Sequence, residues 1–200
     1  MEEVLLGKVR VKKTFGYRNV TEEVQSMVAN YIRENMGTYE EGVTNDFNLD
    51  DKKLAKYTFI DQYNDLGFDK SDSNATFSEV ATVVLVYAKS KSLIYMRTGF
   101  NVRVSSGCGK MGQVFISSQG NVNLTEVYYS KIQQVSSHSQ QYPRTILGEG
   151  CGSKLVQYQD VEEGFIIRGA EELVVNCDQL EKQELSALRK LINERIAGEA

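Results

Sequence analysis

The chain has 200 residues, of which 41% are hydrophobic and 25% charged, the balance of a globular protein long enough to bury a sizeable core. A formal net charge of −4 argues against nucleic acid as a partner across a broad surface. No run approaches the roughly 18 apolar residues of a membrane span, and three scattered cysteines, Cys108, Cys151 and Cys177, are too few for a disulfide-built scaffold and point to the reduced cytoplasm.

Met1-Glu2-Glu3 is acidic where a secretory leader would be basic, so none is expected. Val4 to Lys13 alternates near its centre, with Val9 and Val11 apolar and Lys8, Arg10 and Lys12 polar. This predicts a half-buried strand whose lysines suit a sheet edge. After a turn at Gly16, Val20 to Met36 reads as a helix. Val24, Met27, Val28, Tyr31 and Ile32 form its apolar stripe, and Gly37 is expected to end it. Thr38 to Asn48 is polar and turn-rich and reads as a loop. Leu49 to Leu66 fits a helix with Leu54, Tyr57, Ile60 and Tyr63 on one face. Its Tyr57-Thr58-Phe59-Ile60 core equally suits a short strand, and pattern does not separate the two. Phe68 to Asn74 has calcium-loop residues without the calcium-loop spacing. Counting from Asp69, the sixth position is Asn74 and the twelfth Val80, so it reads as an exposed acidic loop.

The pattern changes after Phe77. Ala81 to Tyr87 is apolar on both faces and β-branched, which predicts a central strand covered on both sides. Short strands are expected at Ser92–Arg97, Phe100–Val104, Gln113–Ser117, Val122–Tyr129, Lys131–Ser136, Ser153–Gln159, Phe165–Arg168 and Glu172–Asn176, in an antiparallel meander. The only proline, Pro143, falls in a predicted loop from Ser136 to Arg144, which also holds the only histidine, His138. Asp178 to Ala197 is the clearest helix. Leu185, Leu188, Ile192 and Ile196 recur at three- and four-residue steps, Asp178 and Glu181 have capping-box form, and Gly198 stands where a left-handed cap belongs. Its apolar face should lie on the preceding strands. The fold class expected is therefore α+β, an antiparallel strand-rich sheet or partly open barrel closed by a C-terminal amphipathic helix, with a helix-containing N-terminal part. Residues 1–111 and 112–200 are the expected units.

From Gly112 to Gly198 the order VFISSQGNV, TEVYYSKIQQVSS, KLVQYQ, FIIRG and ELVVN, followed by the terminal helix, resembles the pleckstrin-homology-like domains of bacteria. The resemblance implies a curled antiparallel sheet closed at one end by the helix, with residues 1–111 either a second divergent copy or part of one domain. Eukaryotic relatives of that family bind phosphoinositides through clustered basic residues. Here the candidate loops offer only Lys110, Lys131 and Lys154, so no lipid site is expected.

Two loops echo each other, Ser105-Ser106-Gly107-Cys108-Gly109-Lys110 and Gly148-Glu149-Gly150-Cys151-Gly152-Ser153-Lys154. Backbone amides in such turns can cradle an anion, with the lysine adding charge. The nucleotide-hydrolysing loop needs a helix behind it and Ser or Thr after the lysine. Met111 and Leu155 stand there instead, and strands follow. Gly107, Cys108, Gly109, Lys110, Gly150, Cys151, Gly152 and Lys154 are thus plain hairpin turns, a site for a phosphorylated small molecule, or a place where the two cysteines approach closely. His138 with Cys108 or Cys151 would need hydrogen-bond reach to form a nucleophilic dyad. One histidine and no Cys-x-x-Cys leave no metal set, and no cofactor motif is present. No constellation supplies nucleophile, base and electrophile together. The expectation is a non-enzymatic binding or assembly module acting through a protein partner or self-association. A binder of an anionic or phosphorylated ligand and an enzyme of unrecognised type are the alternatives.

Overall fold

The computed structural model describes residues 3–10, 17–63, 76–106, 111–147, 155–177 and 182–199. In chain order the elements are β1 (Val4–Arg10), α1 (Tyr17–Glu34), α2 (Met36–Asp46), β2 (Ala55–Tyr63), β3 (Thr76–Ala88), β4 (Ser92–Ser106), β5 (Met111–Tyr128), a 3₁₀ turn (Tyr129–Lys131), β6 (Gln134–Leu147), β7 (Leu155–Arg168), β8 (Glu172–Cys177) and α3 (Lys182–Glu199). Five strands form one antiparallel sheet in the order β1-β5-β4-β3-β2, and three form another in the order β6-β7-β8. The protein is α+β. β5 begins at residue 111 and pairs with both β1 and β4, so the larger sheet runs from residue 4 to residue 128.

The larger sheet is covered on both faces, as the unbroken apolar run in β3 requires. Val83, Leu85 and Tyr87 point into a core shared with Val24, Val28 and Ile32 of α1 and Met36 and Val43 of α2. Val84 and Val86, one residue out of step, point into a second core with Phe165 and Ile167 of β7, Leu173 and Val175 of β8, and Leu185, Leu188 and Ile192 of α3. Alternation along one strand therefore sorts the side chains into two cores. The terminal helix lies on strands by its predicted stripe. Gly198, however, lies inside α3 and does not take a left-handed conformation, so it is not the cap the sequence suggested. Asp178 and Glu181 fall outside the described residues.

The structure corrects several boundaries. Residues 38–48 are not a loop, because α2 runs from Met36 to Asp46. Met36 and Val43 are buried and Tyr39 meets Phe100 edge-to-face at 5.8 Å, so tertiary packing holds a helix that Gly37 and Gly42 would weaken. Of the two readings of residues 49–66, the strand holds: β2 pairs with β3 from Ala55 to Tyr63. The expected strands Ser92–Arg97 and Phe100–Val104 are one strand, β4, and Gln113–Ser117 and Val122–Tyr129 are one strand, β5. What read as turns is a bulge, in which Gln119, Gly120 and Asn121 stand opposite Gly99 alone. Gly120 has φ of 74°, and the Gln119 amide fills the space a Cβ on Gly99 would need. Gln119 Nε2 donates to Asn101 Oδ1 at 2.9 Å.

Further on, Ser153–Gln159 and Phe165–Arg168 merge into β7, and the predicted loop 136–144 is the middle of β6. Pro143 and His138 are strand residues. A strand tolerates proline at a sheet edge, and β6 is the edge of its sheet. Lys131 closes the 3₁₀ turn that links the two sheets.

Candidate functional site

A cleft of about 360 Å³ opens between α3 and the β6–β7 pair. Its floor and wall are three successive cross-strand pairs, Ser137 with Phe165, His138 with Gly164, and Ser139 with Glu163. Its other wall is Lys182, Leu185, Ser186 and Arg189 of α3. Those four recur at i, i+3, i+4 and i+7, so they form one stripe over the first two turns described for the helix. Phe165 and Leu185 are buried and give the cleft an apolar base. Gly164 is held to glycine by β8, since a Cβ there would lie 2.4 Å from the Val175 carbonyl oxygen.

Two polar contacts close the cleft at its ends. Lys182 Nζ pairs with Glu163 Oε2 at 3.0 Å, and Arg189 Nη1 donates to Ser137 Oγ at 2.7 Å. The lining carries two permanent cations and one carboxylate. Arg189 faces a neutral hydroxyl, and among the described residues no carboxylate pairs with it. In a chain of net charge −4 the cleft is therefore a local positive site.

The chain matches no family model, no curated protein and no solved structure. Chemistry must then be read from the geometry. Serines, a histidine and a glutamate line one cleft, yet no hydrogen bond joins His138 to a serine or carboxylate among the described residues, so no nucleophile–base pair stands assembled. Among the described residues no group of three or more His, Cys, Asp or Glu could hold a metal ion. No described helix is long and apolar enough to cross a membrane.

The residues singled out in the sequence lie elsewhere. Gly107, Cys108, Gly109 and Lys110, and Gly150, Cys151, Gly152 and Lys154, fall outside the described residues. The first group connects β4 to β5 and the second β6 to β7, both antiparallel pairs. The cleft residues were missed because three of the ten, Ser137, His138 and Ser139, stand in a segment that reads as a loop, and the rest come from two other elements. The stripe of Lys182, Ser186 and Arg189 flanking the apolar face of α3 was the available signal.

The second exposed feature is the outer edge of the larger sheet. β1 pairs with β5 on one side, and among the described strands none pairs with its other side. Val4 is 38% and Leu5 49% exposed. Glu3, just before the strand, holds Arg103 by two hydrogen bonds of 3.0 and 2.7 Å. The bonds from Arg103 depress the Glu3 carboxyl below the ordinary range, against a small opposing effect of burial. Arg103 in turn lies over the Phe115 ring at 4.8 Å. Lys8 is exposed and makes no ion pair with any described residue.

Proposed function

We propose that this chain is a non-enzymatic binding and assembly module that works through protein–protein contacts, and that β1 is its route to a second copy. The carrying observation is a strand edge that no other described strand pairs with, with Val4 and Leu5 exposed along it. An open edge presents a row of backbone donors and acceptors that an added strand satisfies. A copy of the same strand suits it in apolar surface. An antiparallel pairing about a twofold axis near Leu5 and Leu6 brings together the exposed Val4 and Leu5 of the two copies and sets Lys8 of each beside the Glu3–Arg103 pair of the other. The register shift between Leu5 and Gly7 limits the flat stretch, which keeps such an interface in the small, weak class. Assembly is then concentration-dependent.

Two further parts of this reading rest on the sequence. The C-terminal part is taken as pleckstrin-homology-like, for which a small antiparallel sheet under a terminal helix is the support. The setting is taken as the cytoplasm, on the strength of three scattered cysteines.

Light scattering after size exclusion, over a wide concentration range, tests the proposal. The average mass should rise with concentration. Lys8→Glu, which leaves the strand acidic at both ends of the flat stretch, should shift the curve toward monomer, and Leu5→Lys should do the same. A monomer at every concentration, or an unchanged curve for both variants, overturns it.

A further inference from the structure

We infer that the cleft between α3 and the β6–β7 pair is a binding site for a monoanion with a short apolar body, of the alkyl carboxylate type. The argument is independent of the β1 edge. Four observations converge on it.

First, the cleft has the size of a small-ligand pocket and a base of Phe165 and Leu185, which favours an apolar body. Second, the formal charge of its lining is +1, from Lys182 and Arg189 against Glu163, which matches one negative charge. Third, the two cations are not equivalent. Lys182 is already neutralised by Glu163 at 3.0 Å, whereas Arg189 uses one of its five donors on Ser137 and meets no carboxylate among the described residues. Its planar fork suits a two-oxygen head group. Fourth, Ser137, Ser139 and Ser186 ring the cleft with hydroxyls able to donate to a bound oxyanion. Arg189 and Ser137 are placed by different elements, a helix and a strand 52 residues apart, and their 2.7 Å contact sets the head-group position at one end of the cleft.

Alternation turns Ser137 and Ser139 toward α3 and the ring of His138 between them to the other face of β6, so binding is read by isothermal titration calorimetry. The full chain would be titrated with octanoate, octanol, octylamine and octyl phosphate at fixed pH. Octanoate should give a saturating binding isotherm, with octanol and octylamine giving none. Arg189→Gln should weaken octanoate about tenfold to a hundredfold, the effect of losing a charge-assisted hydrogen bond. Lys190→Gln, one residue along the same helix and paired with Glu194 at 3.8 Å, should leave it unchanged. Ser137→Ala gives a second variant that keeps the charge and should weaken binding less than Arg189→Gln. Equal binding of octanol, undiminished octanoate binding in Arg189→Gln, or no binding of octanoate would each overturn the inference. Tighter binding of octyl phosphate than octanoate would overturn the carboxylate assignment.

Discussion

The two faces of the five-stranded sheet solve the same burial problem by different means. The face under α1 and α2 is covered by helices that precede most of the sheet in the chain, and the buried cluster there spans residues 24 to 116. The opposite face is covered by β7, β8 and α3, so its cluster joins residues near 59 to residues near 192. The far-reaching core also carries directional ties. Tyr95 Oη donates to the Val174 carbonyl at 2.7 Å across 79 positions of sequence, and Tyr129 Oη donates to the Lys89 carbonyl at 3.2 Å. Apolar contact is non-directional and tolerates small slips. Two sheets packed face to face need something that fixes their relative position, and the Tyr95 hydroxyl of β4 on a backbone carbonyl of β8 supplies it, while Tyr129 ties the turn after β5 to the β3–β4 turn.

The largest expected effects test whether the two cores are one cooperative unit. Leu188→Ala in the second core and Ile32→Ala in the first each remove a fully buried aliphatic side chain. Each should cost about 2–5 kcal/mol from lost transfer energy and the cavity left behind. Because β3 lends alternate residues to both cores, urea unfolding followed by tyrosine fluorescence and by circular dichroism should show a single shifted transition in both variants. Two separate transitions in Leu188→Ala would mean that β7, β8 and α3 can leave while the first core stands.

A smaller effect sharpens the contrast in polarity. Tyr95→Phe keeps the ring and removes the tie to Val174, which should cost about 1 kcal/mol. Burial pushes the Tyr95 hydroxyl up from 10.0 to about 12, with nearby Arg97 opposing. The folded state thus holds the proton more tightly than the unfolded chain. Stability from this group is complete below pH 10 and is lost as pH rises toward 12. Tyr95→Phe should therefore flatten the alkaline limb of a stability–pH curve, and an unchanged limb would remove Tyr95 as its source.

The smallest effect lies at the turn between β3 and β4. Asp51 Oδ2 accepts from the Ser90 hydroxyl at 2.6 Å and the Ser90 amide at 2.8 Å, and Oδ1 from the Lys53 amide at 2.8 Å. These bonds, the Ser90 hydroxyl first, lower its carboxyl from 3.8 to about 2. The sign is opposite to that of Tyr95: the contribution is present above pH 3.8 and disappears as pH falls toward 2. Amide exchange at Ser90 should accelerate over that window in the parent and be fast throughout in Asp51→Ala. No change at Ser90 would detach this turn from Asp51.

Much of the first core was legible. Val24, Val28 and Ile32 keep helical spacing, and residues 81–87 are apolar without a break, so each segment states its own burial. Leu185, Leu188 and Ile192 do the same for α3. The α2 helix was not legible, because its buried residues are few and Gly37 and Gly42 look like punctuation. Strand β2 was ambiguous because Tyr57, Ile60 and Tyr63 fit a helix face as well as a strand.

Chain order and local pattern determined that the protein is α+β, that β1 is an edge, that β3 is covered twice and that a terminal helix lies on strands. The last two follow from the side-chain pattern of a single segment, the edge from the lysines of β1, and the class from the order of helical and strand patterns along the chain. Only the tertiary structure decided that short predicted strands fuse into β4, β5 and β7 and that a predicted loop continues β6, since a bulge such as Gln119 to Asn121 looks like a turn until its partner strand is seen. It also decided the cleft. Ser137, Glu163 and Arg189 share no spacing in sequence. They meet because β6 pairs with β7 in one register and the buried leucines of α3 fix which of its sides turns toward that pair.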